Sequence, residues 1–265
     1  MARATAVGWA LVQGGAGRTG GSSTRAPGPM AVDEALLEAA IVRGWDEAAV
    51  RFYRWPNPTL SIGAKQDLPP GVLGRCAAAG VEVVRRPTGG GAVLHRGDVT
   101  YAVVARDRGM GVLGIYRWVA EGLVAGFAAL GIEAKVVERP GMEAGRALSC
   151  FALPTGADLE ARGRKICGSA QVRRGGWFLQ HGSIPVEDVR VETAALLGLA
   201  GVQDGGSTCV ELERPGTVWD EVAQALERGF RVAWGQPSAV RVVDEAERAI
   251  ASRLAERPEP VPSRR

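Results

Sequence analysis

Ile115, Trp118, Val119, Leu123, Phe127 and Leu130 recur at the three- and four-residue steps of one helical face, and Gly131 stops the pattern. That spacing predicts a core-facing helix. A second helical pattern begins at Met30, with Leu36, Leu37, Ala40 and Ile41 on one face, Asp33 and Glu34 suited to its first turn and Gly44 to its end. Strands are predicted at 9–12, 48–55, 59–63 and 81–85, the second and third parted by the turn Pro56-Asn57-Pro58. A hairpin-like pair is expected around 92–95 and 99–105. Further strands at 132–137, 157–161, 164–170 and 177–184 are joined by the turns Arg162-Gly163 and Gly175-Gly176. A short helix ends near Gly80, and helices return at 216–230 and 240–256.

Strands that arrive in hairpins with helices interspersed predict an α+β fold on a mixed, largely antiparallel sheet with flanking helices. No repeat and no long linker divides the chain. Residues 1–29 read as an N-terminal strand and flexible Gly/Ser/Pro-rich loop, 30–256 as a single domain and 257–265 as a Pro/Arg-rich tail.

Composition narrows the class. The chain has 265 residues, 46% hydrophobic and 23% charged, which suits a folded globular protein able to bury a large core without disulfides. Cys76, Cys150, Cys167 and Cys209 show neither a CxxC pair nor a framework spacing, so free thiols in a reducing cytoplasm are expected rather than a disulfide scaffold or a zinc knuckle. The apolar stretch from Ala6 to Val12 is too short for a signal-peptide core, and no run is expected to approach the ~20 apolar residues of a membrane span. The net charge of +3 and scattered arginines do not point to nucleic acid.

Only three of the 32 basic residues are lysines, Lys65, Lys135 and Lys165, and only two histidines occur, His95 and His181. In a chain that uses arginine wherever a cation suffices, a retained lysine is a candidate for chemistry that arginine cannot do.

Two segments concentrate such residues. In Arg85-Arg86-Pro87-Thr88-Gly89-Gly90-Gly91-Ala92-Val93-Leu94-His95, serial glycines let backbone N–H groups approach a ligand, and two arginines supply donors for a carboxylate or phosphate. A glycine loop that merely turns the chain reads the same way, and no GxxxxGK[ST] makes this a P-loop. In the second, Gly163 to Gln171, Lys165 lies in a strand with Cys167, Gly168 and Ser169, and Gln180-His181-Gly182-Ser183 follows. A solvated strand lysine and a satisfied core histidine are the plainer readings of Lys165 and His181.

Taken together, MAVDEALL at 30–37, RWPNPTLSIGAKQ at 54–66, RRPTGGGAVLHRGDVTY at 85–101 and GRKICGSAQ…LQHGSI at 163–184 resemble the lipoate-protein ligase and octanoyltransferase family, which shares its catalytic fold with biotin protein ligases. The resemblance runs from about residue 30 to 185, more loosely to about 235. It implies a biotin/lipoate-protein ligase-like catalytic domain that holds a medium-chain acyl group between the glycine loop and the Lys165 strand and delivers it to a lysine of a lipoyl-domain protein.

The family offers two routes. A ligase activates a free acid with ATP, whereas a transferase starts from an acyl thioester on acyl carrier protein and needs a nucleophile but no cofactor or metal. Spacing alone favours Cys167, two residues from Lys165 along a strand. The resemblance points instead to Cys150, because cysteine-dependent octanoyltransferases of the LipM type carry a Cys-Phe pair like Cys150-Phe151 and a small residue at the position of Cys167. On that reading Lys165 favours the Cys150 thiolate and serves as base or relay for the acceptor lysine. Backbone around Gly168 and Ser169 stabilises the oxyanion, and Arg85, Gly89, Gly90, Gly91, His95 and His181 shape the acyl and pantetheine site.

The implied function is octanoyl transfer from octanoyl-acyl carrier protein to a lipoyl-domain protein, such as glycine cleavage H protein or a dehydrogenase E2 subunit, in lipoate biosynthesis. The alternatives are a cysteine-dependent amidotransferase between lipoyl-domain proteins and an ATP-dependent lipoate-protein ligase. Gly91 departs from the transferases, which often carry Arg there. The short stretch after 216–256 is expected to leave no room for the accessory domain of many ligases.

Overall fold

Among the residues described by the computed structural model, 8–13, 28–137, 158–200 and 206–256, eleven strands and seven helices form. In chain order they are β1 (Trp9–Gln13), α1 (Pro29–Arg43), β2 (Ala48–Tyr53), β3 (Thr59–Ile62), α2 (Val72–Ala78), β4 (Glu82–Arg85), β5 (Val93–His95), β6 (Val99–Arg106) and α3 (Gly111–Ala129). There follow β7 (Ala134–Val136), β8 (Leu159–Ala161), β9 (Arg164–Arg174), β10 (Trp177–Ile184), α4 (Arg190–Leu197), α5 (Val210–Glu213), α6 (Trp219–Trp234), β11 (Ala239–Val242) and α7 (Glu245–Ala255).

An eight-stranded sheet runs β11-β1-β2-β6-β10-β9-β8-β7, parallel across β11, β1 and β2 and antiparallel beyond. This is the mixed, largely antiparallel sheet that the strand order predicts. Successive side chains of a strand point to opposite faces, so Val50 and Val103 join Phe127 and Leu226 of the α3 and α6 layer. Their neighbours Ala49 and Val104 join Leu36 of α1 and Leu254 of α7 on the other face. A smaller sheet, β4-β3-β5, buries Leu60, Ile62 and Leu94 against Val72 of α2 and Leu196 of α4.

Several expectations are corrected. β5 and β6 are not a hairpin: β5 pairs with β3 in the small sheet, while β6 pairs with β2 and β10 in the large one. The turn at 96–98 therefore carries the chain from one sheet to the other, and the cleft described below lies there. β1, grouped by the sequence with the N-terminal loop, is an interior strand of the large sheet. The stretch at 240–256 is not one helix but β11 followed by α7. Because α1 begins at Pro29, Asp33 falls beyond its first turn and is buried instead of complementing the helix dipole. Finally, α3 has the length and apolar composition of a membrane span, contrary to expectation. Its Ile115, Val119, Leu123 and Phe127 are spent on the core between the sheet and α6.

Candidate functional site

The two sheets meet at a small, half-open cleft. Ser61, Arg86, Val93 and His95 line it from the small sheet, and Thr100, Gly168, Ser169, Ala170, His181, Gly182 and Ser183 from β6, β9 and β10, with Met30 of α1 at its margin. Two glycines permit these walls. A Cβ on Gly182 would lie 2.5 Å from the Gly168 carbonyl oxygen and 2.6 Å from Tyr101 Cε1, and one on Gly63 would lie 2.1 Å from the Gly90 carbonyl oxygen.

His95 stands at the end of β5, its ring stacked on Trp55 with centroids 4.3 Å apart. Its Nδ1 lies 2.9 Å from Asp98 Oδ2 and its Nε2 lies 2.9 Å from Ser61 Oγ. The hydroxyls of Thr100 and Ser183 also donate to Asp98 Oδ2, at 2.8 and 2.7 Å. Burial opposes charge on Asp98, but facing His95 and the hydrogen bonds from His95, Ser183 and Thr100 outweigh it, holding the carboxyl below its usual range. An ionised Asp98 accepts from Nδ1–H, which leaves Nε2 to accept the Ser61 hydroxyl proton.

His181, on β10, sits in a similar chain with a different purpose. Its Nε2 lies 2.7 Å from Thr88 Oγ1 of the glycine loop and its Nδ1 3.3 Å from Asp33 Oδ2. Asp33 is shared with Arg51 at 2.6 Å and with the Tyr53 hydroxyl, which donates at 2.7 Å. Burial lowers the His181 pKa below its ordinary value, against the hydrogen bond and charge of Asp33. This chain fastens the glycine loop to α1 and β2.

Lys165 and Asp158 form the third element. Lys165 Nζ lies 2.7 Å from Asp158 Oδ2, with both side chains 1% exposed. Asp158 Oδ1 accepts a long hydrogen bond from the Ser169 N–H at 3.4 Å, linking the pair to the cleft wall. The pairing of β8 with β9 steps from Glu160↔Lys165 to Leu159↔Cys167, so Ile166 is a bulge. The simple alternation that spacing implied for Lys165 and Cys167 is thereby broken: Ile166 and Cys167 both enter the core. Cys167 is fully buried, with Sγ 3.8 Å from Ser169 Oγ.

The two adjacent arginines divide their work. Arg86 lines the cleft and donates to the carbonyls of Gly89 at 2.7 Å, Gly91 at 2.7 Å and Ser61 at 3.2 Å. Arg85 turns away and donates to the carbonyls of Gly63 at 2.8 Å and Gln66 at 2.9 Å.

Of the sequence candidates, the fold brings His95, Gly168, Ser169 and His181 to the cleft wall and sets Lys165 behind Ser169 through Asp158. Gly89, Gly90 and Gly91 form the loop that Arg86 cradles, and Arg85 supports that loop from outside. Cys150 lies outside the described residues. Sequence reasoning missed Ser61, Arg86 as the cleft arginine, Asp98, Asp33 and Asp158. Asp98 was visible three residues after His95, the others only through long-range pairing. The hairpin arginines Arg162 and Arg164 face Glu213, Arg173 faces Asp107 and Arg174 faces Glu34, all within 3.3 Å.

Comparison with known proteins follows the same lines. Residues 26–230 match the model of the lipoyl protein ligase A/B catalytic domain. Octanoyltransferase LipM of Symbiobacterium thermophilum is 36% identical over 254 residues, 87% of this chain and 91% of that protein. Octanoyltransferase LipM of Carboxydothermus hydrogenoformans is 44% identical over 163 residues, and the match spans about 60% of the length of each. Among solved structures, a crystal structure of lipoate-protein ligase A bound with ATP shares the fold at a TM-score of 0.71 and 27% identity, over 88% of this chain and 90% of that one.

Proposed function

The chain belongs to the lipoyl protein ligase A/B catalytic-domain family, and we propose that it is an octanoyltransferase that carries octanoyl from an acyl-carrier-protein thioester to a lysine of a lipoyl-domain protein. The observation that carries this reading is the match to octanoyltransferase LipM along 87% of the chain, which favours transfer over ligation.

In the proposed reaction the Cys150 thiolate attacks the octanoyl thioester, a C–S bond forms at Cys150, the C–S bond to the carrier breaks, and the carrier's pantetheine leaves as its thiolate. The acceptor amine then attacks the acyl-enzyme, the C–S bond at Cys150 breaks, and the amide forms as the amine's proton passes to the Cys150 sulfur. The Lys165–Asp158 pair supports this by placing a fixed ammonium beside the Ser169 wall, where a positive charge favours a thiolate. Gly168, Ser169 and His181 shape the side of the cleft against which the acyl group lies, and the Arg86-held loop Gly89 to Gly91 closes the other.

Intact-mass measurement after incubation with octanoyl-acyl carrier protein tests the reading. One octanoyl adduct is expected, retained in Cys167→Ala and lost in Cys150→Ala; the reverse pattern moves the nucleophile to Cys167. A ligase reading draws on the fold shared with the ATP-bound ligase structure, and octanoylation from free octanoate that strictly requires ATP would establish it. Transfer that proceeds only from an octanoylated lipoyl-domain protein identifies an amidotransferase.

A further inference from the structure

Aminolysis of a thioester needs a base, because an acceptor lysine with an ordinary pKa near ~10.4 arrives as the ammonium. Lys165 is the family-like candidate from sequence, yet its ammonium is ion-paired with buried Asp158. Deprotonating Lys165 would take that counter-charge from a carboxylate held out of water, which a buried ion pair strongly resists.

The facing wall of the cleft offers another group. We propose that Ser61, His95 and Asp98 form a proton relay of the Ser–His–Asp type, in which Ser61 Oγ meets the acceptor amine and His95 Nε2 stores its proton. The proposal rests on the transfer reading above. Its distances are those of a nucleophile–base–orienter chain: 2.9 Å from Ser61 Oγ to His95 Nε2 and 2.9 Å from His95 Nδ1 to Asp98 Oδ2. Ser61 and His95 both line the cleft, opposite Gly168 and Ser169. Arg86 Nη1 donates to Ser61 Oγ at 3.3 Å, which directs the serine's own proton toward His95. Trp55 stacks on the ring and fixes its plane. Asp98, in turn, has Oδ2 held by three donors, while its buried Oδ1 has no hydrogen-bond partner among the described residues.

The second histidine shows that this arrangement is not generic. His181 Nε2 meets Thr88, which lies outside the cleft lining, and its carboxylate Asp33 is already shared with Arg51 and Tyr53. Of the two chains, only the one through His95 presents a hydroxyl to the cleft.

The step balances. The acceptor ammonium first gives one proton to Ser61 Oγ while the Ser61 proton passes to His95 Nε2, giving an imidazolium beside Asp98, and the freed amine nitrogen then bonds to the acyl carbon. As the acyl C–S bond breaks, the second proton of the nitrogen passes to the departing thiolate, leaving the amide and the thiol, and the imidazolium returns its proton to solvent through Ser61. Ser61 is the catalytic residue, and Asp98 is a positioning residue that fixes the tautomer of His95.

The test compares two acceptors under single turnover: a lipoyl-domain lysine, which must be deprotonated, and hydroxylamine, which is already unprotonated at neutral pH. In Ser61→Ala and His95→Gln, transfer to lysine is expected to fall about 100-fold, as for loss of a general base. Transfer to hydroxylamine should fall far less, so that the ratio of the two rates changes by about 30-fold or more. A merely structural role depresses both rates equally, and equal falls overturn the relay. Should the parent chain transfer octanoyl to neither acceptor, the transfer reading fails and labelling decides the relay separately. An octyl fluorophosphonate, which forms a P–O bond to an activated serine with loss of fluoride, is expected to label Ser61 in the parent and not in His95→Gln. No label on the parent Ser61 overturns the relay.

Discussion

Lys165 Nζ and Asp158 Oδ2 are 2.7 Å apart with both side chains 1% exposed, so each charge stands in the place of the water the other has lost. A pair of this kind adds little net stability but is costly to break from one side. Lys165→Met alone should destabilise the fold by about 3–5 kcal/mol, whereas Lys165→Met together with Asp158→Leu should return it to within about 1 kcal/mol of the parent. Urea unfolding of the single and double variants measures this. A single substitution costing less than about 1 kcal/mol would refute an energetically coupled pair.

Acid stability should follow His181. Its folded pKa is lowered by burial, so below the ordinary value of about 6.5 the unfolded chain takes up a proton that the folded chain refuses. The contribution is whole above that value and is lost as pH falls from it toward the folded pKa, by at most about 1.4 kcal/mol per pH unit. Asp98, also lowered in the folded state, has the same sign in the carboxylate range, where further acid protonates the unfolded chain first. Unfolding free energies at pH 7.5 and 5.5 should therefore differ more in the parent than in His181→Gln. An equal difference in both would remove His181 from the acid response.

How much of this was legible depended on distance along the chain. The face of α3 and the β9–β10 hairpin announce themselves locally, through the period of Ile115, Val119 and Phe127 and through the turn Gly175-Gly176. β11 did not, because Ala239 to Val242 pairs with Ala10 to Gln13 at the other end of the chain and carries no turn signal of its own. The site divides likewise. His95, Lys165 and His181 stood out by rarity, while Ser61 gains meaning only from β3 pairing with β5, and Asp158 only from lying before a bulged hairpin. Asp33 misled, because an acidic residue near a helix start ordinarily serves the dipole, and here Arg51 and Tyr53 draw it inward.

Helices α3 and α6 touch through glycine. A Cβ on Gly229 would lie 2.2 Å from Gly126 N and 2.3 Å from the Gly122 carbonyl oxygen, both backbone atoms that cannot step aside. Gly229→Ala should therefore force the helices apart and cost about 1–3 kcal/mol or more. Gly74→Ala, in α2 with nothing within 4 Å of the new Cβ, should instead gain about 0.4–1 kcal/mol from a less flexible unfolded chain. Thermal unfolding of the two variants should show opposite signs. A tolerated Gly229→Ala would mean that α3 and α6 lie farther apart than described.

Arg85 and Arg86 are neighbours with separate consequences for substrate. Arg86 spreads its guanidinium over the carbonyls of Gly89, Gly91 and Ser61 and faces the cleft. A lysine ammonium is a point charge and does not span three acceptors so placed. Since hydrogen bonds to a charged group contribute about 1.5–3 kcal/mol each, losing even one should loosen the loop. On the octanoyltransferase reading, Arg86→Lys should raise KM for the acyl donor about tenfold or more, the equivalent of ~1.4 kcal/mol. Arg85 holds the carbonyls of Gly63 and Gln66 on the far side of the loop, so Arg85→Lys should lower the unfolding midpoint more than it raises KM. Steady-state kinetics and urea unfolding on the two variants separate these effects, and equal KM changes would show that the cleft does not divide the two arginines as their hydrogen bonds do.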